Sequence, residues 1–300
     1  MRYQPVHLWP TAQYRDVARL GKRGRDEGEK VPELPEVETV RRSLARLITG
    51  ATITRVEIHE PRLRKPLASN FALALTGRII REVERRGKYL NIVLDNARIW
   101  LVHLGMTGQL VVGNPQVPLR PHDHVVVTFG DGRCLRYNDA RRFGLMAVGS
   151  EEEMEQQMAL GVEPLSPAFS PRYLLEKVQR TQRTIKDVVM DQRVIAGVGN
   201  IYASELLFRA GVRPGRIAAT LDQQAVGRIV KVTKTVLKEA IRHRGSSISD
   251  YLDGEGHPGS FQERFRVYDR EAQPCRSCAT PIRRETRGGR SAFFCPTCQL

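Results

Sequence analysis

Two Cys-x2-Cys pairs at the end of the chain, Cys275/Cys278 and Cys295/Cys298, constrain the fold more than any other stretch. Sixteen residues separate the pairs, which is zinc-ribbon spacing: two thiolate hooks brought together by a hairpin complete a tetrahedron around one ion. Four cysteine ligands leave no open position for water, so a zinc held there is structural rather than catalytic. An iron–sulfur cluster is the alternative for the same thiolates, and in a reducing compartment disulfides are the weaker reading. The fifth cysteine, Cys134, stands apart in the strand-like run 133–137 and reads as an inert core thiol.

Charge narrows the partner. Lys and Arg outnumber Asp and Glu by 48 to 33, a formal charge of +15, and a surface this basic draws polyanions by counterion release and steering. No basic amphipathic helix stands out for an acidic membrane, so nucleic acid is favoured. No apolar segment approaches membrane-spanning length, and residues 1–31 lack the continuous apolar core of a signal peptide; the cytoplasm is the expected compartment.

The periodicity divides the chain. A helix opens near Pro35, with Val37, Val40, Leu44, Leu47 and Ile48 at helical spacing and Gly50 as the stop. Short alternating runs follow at 52–58, 79–84, 89–94, 99–103, 109–112, 125–129, 134–137 and 145–148, which predict an antiparallel β-sandwich or barrel. The acidic run Glu151 to Glu155 begins a helix, and the proline-rich stretch after it reads as a linker. Helical periods then cover 173–180, 185–191, 202–210, 223–242 and a short 249–253. The expected architecture is multidomain α+β: an extension over 1–31, a helix plus antiparallel sandwich over 32–150, a linker over 151–171, a helical domain over 172–270 and the ribbon over 271–300.

Three stretches invite a chemical reading. Pro35, Glu36 and Glu38 make a good helix start, but Pro32 and Glu33 sit before it with nothing obvious to cap. The loop Val194 to Asn200 is a glycine turn opening a helix, which could present backbone amides to a phosphate or be only a tight turn. Gly254 to Gly259 reads as a connector or lid, and His257 within it has no ligand-like partner nearby.

Together these residues resemble the bacterial formamidopyrimidine-DNA glycosylases, which excise oxidised purines from DNA. The resemblance runs from Pro32 to the end and rests on PELPEVETVRR, RRGKYL, HLGMTG, DARRFG, GVGNIYASE and the terminal ribbon, in that order. It implies helix-two-turns-helix geometry around Asn200 and a bifunctional glycosylase and AP lyase acting on double-stranded DNA as a monomer, nucleoid-associated through DNA binding. Pro32 would be the mature N-terminus, its secondary amine attacking C1′ of the damaged nucleotide. An α-amino group has a pKa near 8, so a useful fraction is unprotonated at neutrality. By resemblance Glu33 is acid and base, Glu36 supports it, Lys88 contacts the lesion and its phosphate, and Arg290 reaches flanking phosphates. His122, Arg141, Lys186, Asn200 and Tyr202 match DNA contacts, with His103 a weaker case. Met106, Arg141 and Phe143 match the side chains that fill the space left by an extruded nucleotide, Phe143 as wedge and Arg141 as partner of the orphaned cytosine.

Leu34 stands where the endonuclease VIII branch usually has glycine, which favours purine lesions over oxidised pyrimidines. A non-catalytic DNA-damage-binding protein would keep the charge and the ribbon without a free proline amine. Two departures bear on the resemblance: Ser249 occupies a position often basic in the family, and Ala140 replaces the commoner proline before the wedge. As numbered, Pro32 follows Val31 and its nitrogen is an amide, so the full chain cannot form an iminium. The expectation is that Val31 is the true initiator, encoded by GTG and then removed, with Glu27 to Lys30 coming from a purine-rich ribosome-binding site; proteolysis after Val31 is the alternative.

Overall fold

The computed structural model describes residues 31–247, 251–287 and 289–300. The expectations for residues 1–30, Gly288 and Ser249 lie outside the described residues.

Helix α1 (Leu34–Ile48) leads into two four-stranded antiparallel sheets. One holds β1 (Ile53–Ile58), β6 (Asp123–Phe129), β7 (Cys134–Asn138) and β5 (Gln109–Gly113) in that order. The other holds β2 (Ile80–Arg86), β3 (Tyr89–Leu94), β4 (Ile99–His103) and β8 (Leu145–Gly149). The sandwich expected from the alternating runs is therefore present. In β2 Ile80 and Val83 are both buried while Arg81, Glu82 and Glu84 turn to water, because a register irregularity between Ile80 and Glu82 interrupts the period of two. Cys134 is fully buried in β7.

The sequence reading missed the α-helix α2 (Phe71–Leu75), which is too short to show a period. Tertiary burial makes it, because Phe71 and Leu75 plug the sandwich and Phe71 meets Trp100 edge-on at 6.3 Å. Helix α3 (Glu151–Met158) then lays Met154 and Met158 on Ile99, Leu101 and Leu145.

Helices α4 (Pro171–Gln179), α5 (Ile185–Met190), α6 (Asn200–Ala210) and α7 (Gln223–Arg242) form the second lobe. A short helix was expected over 249–253, but residues 251–253 are not helical. The Asp253 side chain accepts from the amides of Glu255 and His257 at 2.9 Å each, which folds a turn instead. The ribbon strands β9 (Arg283–Arg287) and β10 (Arg290–Phe294) pair antiparallel, and Ile282 just before β9 and Phe293 within β10 join the apolar core of the helices.

Helix α1 belongs to both lobes. Val37, Val40, Leu44 and Ile48 enter the sandwich core, whereas Leu34 enters the helical one. Its first turn consequently lies on the seam between them.

Candidate active site

The seam gathers residues that the sequence keeps far apart. The Leu34 amide donates to the Gly197 carbonyl at 3.0 Å, which docks the start of α1 on the glycine loop. Pro32 is buried there beside Glu33. The Glu33 carboxylate accepts from the amides of Gly199 at 2.6 Å, Ile201 at 2.8 Å and Tyr202 at 3.4 Å, so it sits on the N-terminus of α6. The glycine loop thus presents amides to an anion, as its composition allowed, and the anion is a carboxylate of this chain. Gly199 is required by this approach: a Cβ there would lie 2.5 Å from Glu33 Cδ and 2.6 Å from Lys88 Nζ. The lysine and the acid converge on that one backbone position.

Burial pushes the Glu33 carboxyl up to about 7, with the Lys88 cation pulling the other way and the Glu36 carboxylate adding to the rise. Lys88 is lowered by its own desolvation, against the attraction of Glu33 and Glu36, and the Arg290 charge lowers it further. Arg290, at the tip of the ribbon hairpin, is therefore felt at the acid cluster although its side chain is exposed.

Glu36 is more tightly held. Its Oε1 accepts from the Tyr202 hydroxyl at 2.6 Å and from the Ser246 amide and hydroxyl at 2.6 and 3.1 Å, and its Oε2 accepts from the Glu33 amide at 3.0 Å. Every contact serves position, joining α1, α6 and the segment after α7. Ser246 was not legible in the sequence; only its place before the glycine-rich loop hinted at a role.

Two expected DNA contacts face inward. Tyr202 is fully buried, its hydroxyl on Glu36 and its ring 5.7 Å from that of Phe261, and it offers no surface to a phosphate. The reading of Tyr202 as a DNA contact is corrected accordingly: an aromatic hydroxyl one turn into α6 is drawn to the buried carboxylate. Lys186 is only 6% exposed and its Nζ donates to the Ser291 carbonyl at 2.7 Å, tying α5 to the ribbon. Burial brings its ammonium down to about 8, with Asp187 opposing the shift. Asn200 is partly buried at the start of α6, and its Oδ1 has no hydrogen-bond partner among the described residues.

Met106, Arg141 and Phe143 lie on two loops that buried Asp139 holds together. Its Oδ1 accepts from the Thr107 hydroxyl at 2.5 Å, and its Oδ2 from the Tyr137 hydroxyl at 2.9 Å and the Gly144 amide at 2.8 Å. Thr107 also accepts from the Arg141 amide at 3.1 Å. Above this base Phe143 is 44% exposed, with the Arg141 guanidinium 4.8 Å from its ring centroid. Ala140 is exposed in the same loop as Arg141, and Met106 is partly buried. His122 is exposed at the entry to β6, with its ring 6.2 Å from that of His124. His103 accepts from the Gly105 amide at 3.0 Å, and burial lowers it to about 3, with Lys88 and Arg64 adding to the fall, so it is neutral and shapes the turn.

The four cysteine thiols fit one ion. Their Sγ atoms all lie within 4.8 Å of one another, with Cys275 to Cys298 at 3.9 Å and Cys278 to Cys295 and Cys298 at 3.4 Å each. A tetrahedron of zinc–sulfur bonds of about 2.3 Å has edges of roughly 3.8 Å. Cys275, Cys278, Cys295 and Cys298 are thus the ligands of one structural zinc.

Comparison with known proteins gives the same answer along the whole described chain. Residues 31–146 match the formamidopyrimidine-DNA glycosylase N-terminal domain, residues 160–251 its H2TH domain, and residues 272–300 the zinc finger found in FPG and IleRS. The formamidopyrimidine-DNA glycosylase of Thiobacillus denitrificans is 48% identical over 271 residues, covering 90% of this chain and all of that protein. The crystal structure of MutM (Fpg) from Thermus thermophilus superposes with a TM-score of 0.80 at 40% identity, covering 89% of this chain and 98% of that one. A Lactococcus lactis Fpg (MutM) structure with Fapy-dG-containing DNA gives 0.83 at 31% identity, covering 89% of this chain and all of the other. Matched by three domain models along its length and by a full-length relative at 48% identity, the chain belongs to the formamidopyrimidine-DNA glycosylase family of DNA-repair enzymes.

Proposed function

We propose that this enzyme removes oxidised purines from double-stranded DNA and then cleaves the resulting abasic strand, using Pro32 as an amine nucleophile. The observation that carries the reading is the Glu33 carboxyl, next to Pro32, held by amides of α6 beside Lys88 and raised to about 7. A carboxyl group so placed is a proton donor near neutrality. The Lactococcus relative bound to Fapy-dG-containing DNA supports the substrate class.

Attack of the Pro32 nitrogen on C1′ forms the N–C bond as the bond to the base breaks, and the base leaves with the electron pair. Glu33 donates its proton to the sugar ring oxygen in that same displacement, the ring opens, and loss of the amine proton leaves an iminium. That electron sink acidifies the C2′ proton, and successive β and δ eliminations release the two phosphates. Lys88 and Arg290 supply the positive charge for the lesion and its flanking phosphates, and Met106, Arg141 and Phe143 occupy the space left in the stack. The zinc holds the ribbon in shape and so places Arg290. The modules of the reading are the catalytic sandwich at 32–150, the linker at 151–171, the DNA-binding helices at 172–270 and the ribbon at 271–300.

The active form in this reading begins at Pro32, because an amide nitrogen is not a nucleophile. Borohydride reduction of the enzyme with a duplex carrying 8-oxoguanine tests it. Protein whose N-terminus is verified as Pro32 should form a covalent complex, and protein retaining residues 1–31 should not. Absence of the complex from the Pro32 form, or its formation by the longer one, would overturn the role of Pro32. Faster cleavage of a thymine glycol duplex than of the 8-oxoguanine duplex would move the enzyme to the pyrimidine-directed branch.

A further inference from the structure

Glu163 lies in the proline-rich stretch that the sequence marks as a linker, yet its carboxylate is fully engaged. Oε1 accepts from the Gly87 amide at 2.6 Å and from Arg85 at 3.1 Å and Arg86 at 3.3 Å, and Oε2 accepts from Arg85 at 3.0 Å. Arg85 is nearly buried and spans three partners, reaching Glu38 on α1 at 3.1 Å and the Gly87 carbonyl at 3.0 Å besides Glu163. The clamped peptide is the one immediately before Lys88.

The same short segment also grips the glycine loop. Val162 forms a parallel bridge with Ile195, and the amides of Gly161 and Ala196 donate to the carbonyls of Gln192 and Val162 at 2.8 and 2.9 Å. Gln192 in turn accepts from the Gly197 amide at 2.8 Å and donates to the Val198 carbonyl at 2.6 Å. There is no slack between the two holds: Gly87 has φ +56°, and a Cβ on it would meet Leu160 Cδ1 at 2.9 Å and Ala196 Cβ at 3.3 Å.

We infer that residues 161–163 act as a fixed spacer, with Glu163 and Arg85 as positioning residues that set Lys88 against the α6 amides holding Glu33. One side of the spacer carries the lysine and the other carries the cradle of the acid, so the register between them is determined by three residues outside the cluster. The inference rests on the reading of Lys88 and Glu33 as members of the reacting site. Without the Glu163 carboxylate the Gly87 amide loses its acceptor, Arg85 and Arg86 lose their shared anion, and the turn is free to shift. A displacement on the scale of 1 Å at a reacting group costs up to about a hundredfold in rate.

A double-mutant cycle tests this in zinc-loaded enzyme beginning at Pro32. Single-turnover base release from an 8-oxoguanine duplex is measured for Glu163→Ala, Lys88→Ala and the pair, together with Kd for the duplex. Glu163→Ala should slow release about ten- to hundredfold with Kd changed less than about threefold. In the Lys88→Ala background the same change should slow it less than about twofold, since its effect runs through Lys88. Glu163→Gln, which keeps an acceptor for the Gly87 amide, should restore most of the loss. Arg85→Met replaces Glu163→Ala in the cycle if the latter does not fold, with the same non-additivity expected. Wild-type release by Glu163→Ala, or losses that multiply in the double mutant, would overturn the positioning role. Wild-type release by Lys88→Ala would instead remove Lys88 from the chemistry, and the spacer's function with it.

Discussion

The acid cluster and the wedge loops are built in opposite ways. Glu33 and Glu36 are buried to within 3% of full and held by donors from the other lobe, so their geometry exists before any DNA arrives. Arg141 and Phe143 are exposed, and what is fixed is only the base beneath them, through Asp139. Chemistry at a defined atom needs groups placed to fractions of an ångström, which burial and charge-assisted hydrogen bonds supply. Filling an irregular gap in a duplex needs apolar and cationic side chains that remain available until the gap opens. On the proposed reading, the difference teaches that preorganisation falls where bonds would change and adaptability where a base would be replaced.

The comparison breaks most severely at Glu33. Glu33→Gln keeps the size but removes the titratable proton, and single-turnover base release should fall about 100- to 10,000-fold. In the unaltered enzyme a carboxyl raised to about 7 is protonated below that pH, so base release by this acid should decline as pH climbs through about 7. The Gln variant should lack that limb, and a retained limb at full amplitude would assign it elsewhere.

The base of the wedge is the next test. Asp139→Ala leaves the Tyr137 hydroxyl and Gly144 amide buried without their acceptor, and stability should drop by about 2–4 kcal/mol in denaturant unfolding. Base release by the folded fraction should change far less than in Glu33→Gln, since the acid cluster is untouched.

The smallest effect sharpens the contrast at the tip. Phe143→Ala removes an exposed ring, so its stability should stay within about 0.5 kcal/mol of the parent. Affinity for a lesion duplex should fall roughly tenfold, the worth of one stacked side chain of about 1–2 kcal/mol. A loss of stability without a loss of affinity would make Phe143 a packing residue.

How much of this was visible in the chain depends on the range of the interaction involved. The zinc ligands are a spacing within one hairpin, and the strands are a period of two; both are local and both were read. The motifs of the proposed site could be picked out one by one, because each is contiguous. What the residues alone could not give is direction across the fold. Tyr202 and Lys186 sit in motifs expected to contact DNA, and their side chains turn toward Glu36 and Ser291 because buried partners outcompete solvent. Glu163 looked like punctuation beside Pro164, whereas its partners Arg85 and Gly87 lie 78 and 76 residues earlier. No period connects such positions; only packing does.

The double membership of α1 sets a rule for taking this enzyme apart. Its first turn is anchored in the helical core by Leu34 and its remainder in the sandwich by Val37, Val40, Leu44 and Ile48. A polypeptide severed between the lobes would leave Glu33 on one fragment and the amides that hold it on the other. Neither fragment would possess an active centre, and turnover would appear only on their reunion. Repair activity is in this sense a readout of assembly, silent in each half and restored by the pair.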